Sequence, residues 1–163
     1  MNKKVIILGI LVVLWMGFIF LMSSTTGDES GKTSSDIVNF IIMKYDKITK
    51  ANQDTIKYHQ SEEFINKANH LFRKICHFVE YLILGILIVL FLLSFNKYKI
   101  WLCLFSSCLF SFFYASLDEY HQTFVAGRGG RITDIIIDST GAIVGSLVIY
   151  LLFLMMKNIK SCK

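Results

Sequence analysis

Charged and polar side chains gather in one stretch of the sequence, between two segments that are apolar enough to cross a bilayer. The chemically capable residues of this stretch are Asp118, Glu119, Gln122, Arg128, Arg131, Asp134 and Asp138. Carboxylates act as acids, bases or ligands of hard cations, and arginines bind planar anions. Charge at a membrane boundary is costly, so it usually serves chemistry or holds a packed polar site together. The stretch therefore marks a candidate functional site.

The turn Gly127-Arg128-Gly129-Gly130-Arg131 joins two of these apolar segments and combines a glycine-rich backbone with two arginines. Exposed N–H groups and guanidinium groups would suit a phosphate or a carboxylate. The alternative is that the arginines pair with nearby carboxylates and lock a short hairpin. Those carboxylates are Asp118, Glu119 and Asp134. Both interpretations stay open.

A second group of ionisable residues, Arg73, His77 and Glu80, is spaced i, i+4, i+7 and so shares one face of a predicted helix. One interpretation is an ion-pair network that orients the helix. The other is a histidine tuned by its carboxylate as a general base or metal ligand. This face alone favours the structural interpretation, because structural ion pairs also perturb such groups.

The last apolar segment repeats the arrangement, since Asp134, Asp138, Gly141 and Gly145 fall on one helical face. A G-x-x-x-G pair lets a second helix approach closely. Both aspartates are therefore predicted to point toward neighbouring helices. On a continuing helix Asp118 and Gln122 would also face one way.

The elements that position these residues are predicted to be membrane-spanning helices. The chain has 163 residues, 54% of them hydrophobic, and no proline, and its apolar residues form long runs. Each run is close to the roughly 20 residues that cross a bilayer as a helix. The prediction is an all-α integral membrane protein, a four-transmembrane-helix bundle formed by one domain over residues 1–163. The predicted spans cover about residues 5–22, 76–95, 100–117 and 135–156. The first is interpreted as an uncleaved anchor, because it is longer than a signal-peptide core and no A-x-A pattern follows it.

Lysines predict the orientation of this bundle. The short segments 1–4, 96–99 and 157–163 hold seven lysines and no acid. The positive-inside rule therefore places both termini in the cytoplasm and residues 23–75 outside. One end of every span then meets the same outer surface, where Ser23 and Ser24 join the polar residues. A polar pocket at the outer leaflet is the simplest explanation.

The outer segment is predicted to be partly helical. Residues 22–36 are interpreted as a loop, Asp36 as the cap of a short surface helix over 37–45, and residues 46–60 as irregular. Ser61 is an acceptable N-cap for a long helix that continues into the second span.

Neither the cysteines nor the net charge adds a function. The cysteines form no C-x-x-C motif, so small apolar packing is the favoured interpretation for each. They are Cys76, Cys103, Cys108 and Cys162. The net charge of +5 comes largely from the lysines that set the topology, and it does not support nucleic-acid binding.

The residues also resemble a known family. The VanZ-like membrane protein family has two signature blocks, and these are similar to Arg73-Lys74-x-x-His77-Phe78-x-Glu80-Tyr81-x-x-x-Gly85 and Asp118-Glu119-x-x-Gln122-x-Phe124-x-x-Gly127-Arg128-x-Gly130-x-x-x-Asp134-x-x-x-Asp138-x-x-Gly141-x-x-x-Gly145. Two positions depart from the pattern: Ala126 stands where many relatives have proline, and Asp138 where some have asparagine. The resemblance implies a small multi-pass protein of the bacterial cytoplasmic membrane. The family takes its name from a member linked to teicoplanin resistance, and the resemblance implies no particular reaction.

Two functions follow from these residues, and whether the protein is an enzyme stays open. As an enzyme acting on a lipid-linked envelope substrate, it would use His77 with Glu80 as the base. The four aspartates and glutamates of the second block would serve as acids, bases or ligands of a divalent cation, and the three arginines would hold an anionic head group. As a binding protein, it would hold an envelope lipid or a glycopeptide, or modulate a partner enzyme. A third interpretation is that the network only stabilises the bundle.

The predicted topology has a direct test. Reporters of membrane sidedness fused after Lys97 and after Gly130 are expected to report opposite sides, with Gly130 outside the cytoplasm. Reporters that agree with each other would contradict the four-span topology.

Overall fold

The computed structural model describes residues 2–161, with side chains described over residues 2–156. Within that range the chain is helical and has no strand. The helices are α1 (Lys3–Ser23), α2 (Gly27–Thr49), α3 (Gln53–His59), α4 (Glu62–Leu93), α5 (Ile100–Gln122) and α6 (Ile132–Ser161). Four of them, α1, α4, α5 and α6, are long and apolar enough to cross a membrane. The predicted all-α fold with four spanning helices is confirmed.

Met1, Cys162 and Lys163 lie outside the described residues, and the side chains of Lys157 and Lys160 lie outside the described side chains. The cytoplasmic location of both termini stays a prediction.

Helix α4 lies at the centre of the bundle and makes its most extensive contact with α6. The two backbones approach closely because glycines face them. A Cβ added to Gly141 would collide with the Phe78 carbonyl group, and one added to Gly145 would collide with the Leu82 carbonyl group. Small residues at such a seam allow the van der Waals contact that drives helix association in a bilayer.

Helix α1 is attached to the same core by two hydrogen bonds between helices. The Trp15 indole N–H donates to the Glu80 carbonyl oxygen at 2.9 Å, and the Tyr114 hydroxyl donates to the Met16 carbonyl oxygen at 2.7 Å. Both bonds engage backbone oxygens near the polar end of the bundle. They fix the second half of α1 relative to α4 and α5.

The predicted loop over residues 22–36 is wrong, because α2 already begins at Gly27. Thr26 is its N-cap and accepts a hydrogen bond from the Glu29 amide at 3.3 Å. Asp36 lies inside α2 rather than at its start. Glycine, serine and threonine favour turns locally, but here α2 packs against α4 and buries Ser34 on that face.

The predicted irregular structure over residues 46–60 is also wrong. Helix α2 ends in a left-handed residue, Lys50, and α3 follows with Asn52 as its cap. The His59 ring Nδ1 lies 2.7 Å from an Asp46 oxygen and ties α3 back to α2. The predicted N-cap Ser61 is confirmed: its hydroxyl accepts from the Phe64 amide at 3.3 Å, and α4 runs unbroken from there.

The α4–α6 seam predicts an unequal response to two similar substitutions. Gly145→Ala should lower the free energy of unfolding by about 1–3 kcal/mol, because the added Cβ overpacks the seam. Gly17→Ala is the matched control, since no atom within 4 Å would meet its Cβ. Thermal unfolding of the full chain in detergent measures both. Equal melting temperatures for the two variants would contradict the close approach.

Candidate functional site

A cavity of about 370 Å³ opens between α2, α4 and the turn that joins α5 to α6. We call it the polar cavity. Its walls carry Ser34 from α2, Arg73 and His77 from α4, and Arg128 and Asp134 from the turn and the start of α6. The volume lies within the range of about 300–1,000 Å³ that is typical of ligand sites. Arg73 and His77 of the second span and Asp134 at the start of the last one are thus brought to one place, whereas Glu80 and Asp138 do not line this cavity.

Gly27 and Gly127 let the turn pack closely against the start of α2, and this contact positions one wall of the cavity. Gly127 has a φ of 72°, which an L side chain rarely adopts, and a Cβ on Gly27 would collide with the Gly127 carbonyl group. The Gly27 amide donates to the Ala126 carbonyl oxygen at 2.9 Å. Proline also offers a carbonyl oxygen, so this contact is compatible with the proline that the family resemblance implies at position 126.

Arg128 reaches from the turn toward the end of α1. Its Nη2 donates to the Met22 carbonyl oxygen at 3.1 Å and to the Thr25 hydroxyl at 2.8 Å. Its Nε is buried and has no hydrogen-bond partner among the described residues. Burial and the charge of Arg73 lower the pKa of the Arg128 guanidinium, while Asp118 and other carboxylates at longer range raise it.

The hairpin-lock interpretation does not hold for the arginine side chains. Within residues 2–156, no carboxylate oxygen lies within 4.0 Å of the guanidinium groups of Arg73, Arg128 or Arg131. The Arg131 side chain is exposed at the cavity rim, and only its backbone N–H donates to Glu119, at 2.8 Å. Arg73 is half-buried in the cavity wall. The cavity therefore carries cationic groups that no carboxylate neutralises directly.

Buried carboxylates lie beneath the polar cavity. Asp118, Glu119 and Asp138 are 2%, 3% and 0% exposed. The Gln122 amide Nε2 donates to Asp118 Oδ2 at 3.1 Å and to Glu119 Oε1 at 3.3 Å. Asp118 and Gln122 share a face as expected, and the same amide also bridges to Glu119. One neutral donor thus links two buried acids.

His77 lies between carboxylates of two helices. Its Nδ1 is 3.9 Å from Glu80 Oε2 on α4 and 3.9 Å from Asp138 Oδ1 on α6. Both distances exceed a hydrogen bond. His77 Nδ1 and both Asp138 oxygens have no hydrogen-bond partner among the described residues. The three groups thus lie close together without hydrogen-bonding to one another.

Asp134 pairs with a residue that sequence reasoning did not select as a site residue. Lys74 Nζ lies 3.7 Å from Asp134 Oδ1 and joins α4 to the start of α6. Lys74 directly follows Arg73 in the first signature block, and this position was the signal that could have found it. Asp134 is therefore committed to an ion pair at the cavity wall.

The two serines at the end of α1 occupy different surroundings. Ser23 is buried, 2% exposed, and lies beside Asp118. The Ser24 hydroxyl lies 3.1 Å from His121 Nε2, and it also donates to the Phe20 carbonyl oxygen at 2.7 Å. Ser23 thus belongs to the carboxylate cluster, and Ser24 links α1 to α5.

The divalent-cation hypothesis gains no support from the arrangement of side chains. Within the described part of the chain, no group of three or more His, Cys, Asp or Glu residues is placed to hold a metal ion. The carboxylates are spread along the ends of three helices instead.

The fold and the site define a multi-pass helical membrane protein with a polar cavity at one end of its spans. A model of the VanZ/LLP1 family matches residues 8–154, and the chain therefore belongs to that family. The match confirms the resemblance found in the two signature blocks. No curated protein and no solved structure matches the chain.

The bridging amide of Gln122 generates a stability prediction. Gln122→Glu should lower the free energy of unfolding by about 2 kcal/mol or more, because a third buried acid replaces the donor shared by Asp118 and Glu119. Gln60→Glu makes the same chemical change at an exposed position and is the control. Thermal unfolding in detergent at neutral pH compares them. A Gln122→Glu protein as stable as the control would contradict the bridge.

Proposed function

We propose that this VanZ-family protein binds an anionic cell-envelope lipid or lipid-linked precursor in the polar cavity. The observation that carries the proposal is the pair of arginines, Arg73 and Arg128, which line the cavity without a carboxylate in contact. Removing a charge from water is costly unless it is paired. An anion bound between the two guanidinium groups would supply the missing partner.

The position of the cavity supports an extracytoplasmic site in the bacterial cytoplasmic membrane. It lies where α4, α5 and α6 carry their polar ends, the same end at which α1 finishes. The lysine-rich short segments lie at the opposite ends of these helices. By the positive-inside rule the cavity would face away from the cytoplasm. Residues 1–163 would form the single domain that contains it.

Binding could be accompanied by turnover, and one observation favours this second candidate. His77 lies between Glu80 and Asp138, with polar atoms of His77 and Asp138 left without partners among the described residues. Such a group is suited to move a proton at a ligand held by the arginines. In the alternative without turnover, the protein holds its lipid or modulates a partner, and the carboxylates keep the cavity in shape. Either activity would link the protein to glycopeptide (teicoplanin) susceptibility through the envelope.

Conservative substitutions test whether the polar cavity functions. We expect His77→Gln, Glu80→Gln, Asp118→Asn and Arg128→Lys to reach normal membrane abundance yet fail to restore the envelope lipid composition and teicoplanin susceptibility of a deletion strain. Each variant keeps the side-chain size or charge but removes a proton-transfer or bidentate group.

The control for these variants is Lys67→Gln, which removes a charge from the exposed Lys67–Glu63 pair on the same helix as His77. It should restore the wild-type phenotype. Full restoration by all four cavity variants would contradict a functional cavity. Lipid and muropeptide profiles separate the two candidates, because turnover requires a covalent species that the deletion strain gains or lacks.

A further inference from the structure

A second opening adjoins the polar cavity and differs from it in chemistry. This apolar cleft, of about 230 Å³, has a mostly apolar wall surface, to which Met22, Ile37, Phe72 and Cys76 contribute, although the other nine residues of its wall are polar or charged. It shares four wall residues with the polar cavity: Ser34, Arg73, His77 and Arg128. The two spaces therefore adjoin each other, and both arginines line the boundary between them.

The apolar cleft continues into the surface that faces lipid. It lies between the end of α1, the first half of α2 and the middle of α4. Met22 and Ile37 at its walls are 45% and 41% exposed. Next to its α4 wall run the exposed residues Ile75 and Val79. In a bilayer, an apolar chain could pass from the lipid phase into the cleft without crossing water.

We propose that the ligand is a phosphate-bearing lipid, with its phosphate between Arg73 and Arg128 and one hydrocarbon chain in the apolar cleft. This inference rests on the proposed function and names the class of its ligand. A soluble anion would fill only the polar cavity and leave the cleft unused. A lipid matches both spaces and their order, from charged boundary to lipid phase.

The charge at the boundary favours phosphate over carboxylate. Two guanidinium groups face the space without a carboxylate in contact, whereas Lys74 on the same cavity wall is already paired with Asp134. A phosphate monoester carries between one and two negative charges at neutral pH and three acceptor oxygens, and arginine forks match such oxygens in pairs. A single carboxylate would neutralise less of this charge.

Carboxylates at the cleft favour an uncharged chain there. Glu29 and Glu80 contribute to the walls of the apolar cleft. A second anionic group in that space would face both of them, whereas a hydrocarbon chain would contact Phe72 and Ile37 without adding charge. The phosphate is therefore assigned to the arginines and the chain to the cleft.

Binding of three matched probes to the purified full chain in detergent tests the assignment. Dioleoyl phosphatidic acid has phosphate and chains, glycerol 3-phosphate has phosphate alone, and dioleoylglycerol has chains alone. We expect phosphatidic acid to bind about tenfold or more tighter than either of the others, because only it uses both spaces. Arg73→Gln should weaken both phosphate probes, and Lys67→Gln should weaken neither.

A blocked cleft separates the lipid from the anion. Cys76→Phe fills the apolar cleft and should weaken phosphatidic acid about tenfold while leaving glycerol 3-phosphate unchanged. Ile75→Phe places the same ring one residue away on the exposed side of α4 and should change neither. Equal binding of phosphatidic acid by these two variants would overturn the cleft assignment.

Crosslinking to the wild-type chain gives a second measurement that does not depend on the folding of any variant. Phosphatidic acid with a diazirine in one chain should label Met22, Ile37 or Phe72 after illumination; labels confined to the lipid-facing residues of α5 would overturn the proposal. Binding of glycerol 3-phosphate that depends on Arg73 and equals that of phosphatidic acid would overturn the lipid and leave the anion site standing. If Arg73→Gln binds both phosphate probes as tightly as the wild-type protein does, the proposed function is overturned as well.

Discussion

The close approach of α4 and α6 is the constraint on which the rest of the structure depends. Gly141 and Gly145 let the two backbones touch, and this contact sets which residues of the two helices lie at the same height. One consequence is that His77 of α4 faces Asp138 of α6 at 3.9 Å. In a bilayer, where lipid is as apolar as the helix surfaces, such backbone contact is a main source of association. A bulkier seam would separate the groups that form the site.

Apart from the Lys74–Asp134 ion pair, the arginines and acids gathered by this seam are not paired with one another within the described residues. Asp118 and Glu119 are buried and share the Gln122 amide, while Arg73 and Arg128 line the cavity wall. Arg128 Nη2 donates its hydrogen bonds to the end of α1 rather than to a carboxylate. A network that only stabilised the bundle would be expected to close its ion pairs, because unpaired buried charge is costly. The family assignment places this arrangement in a membrane protein of the VanZ/LLP1 family.

Much of the fold could be predicted from the sequence because its signals are local. Apolar runs of about one bilayer thickness indicate the spans, and the cap at Ser61 indicates the start of α4. The helix α2 could not be predicted in the same way. Its first half is rich in glycine, serine and threonine, which favour turns locally, yet it forms a helix that Thr26 caps and that packs on α4. That helix also supplies one wall of both openings, so the apolar cleft could not be predicted from the sequence either.

The sequence by itself determined the membrane class, the four spans, the family and the membership of the polar cluster. Each of these depends on residue type and on spacing along one helix, which the chain carries directly. The tertiary structure alone decided the partners: that Lys74 pairs with Asp134, that Gln122 bridges both neighbouring acids, and that Arg128 binds the end of α1. Contacts between helices depend on their relative rotation and height, and a few tenths of a turn change every pair. That physical information lies in the packing of the whole bundle and in no single segment.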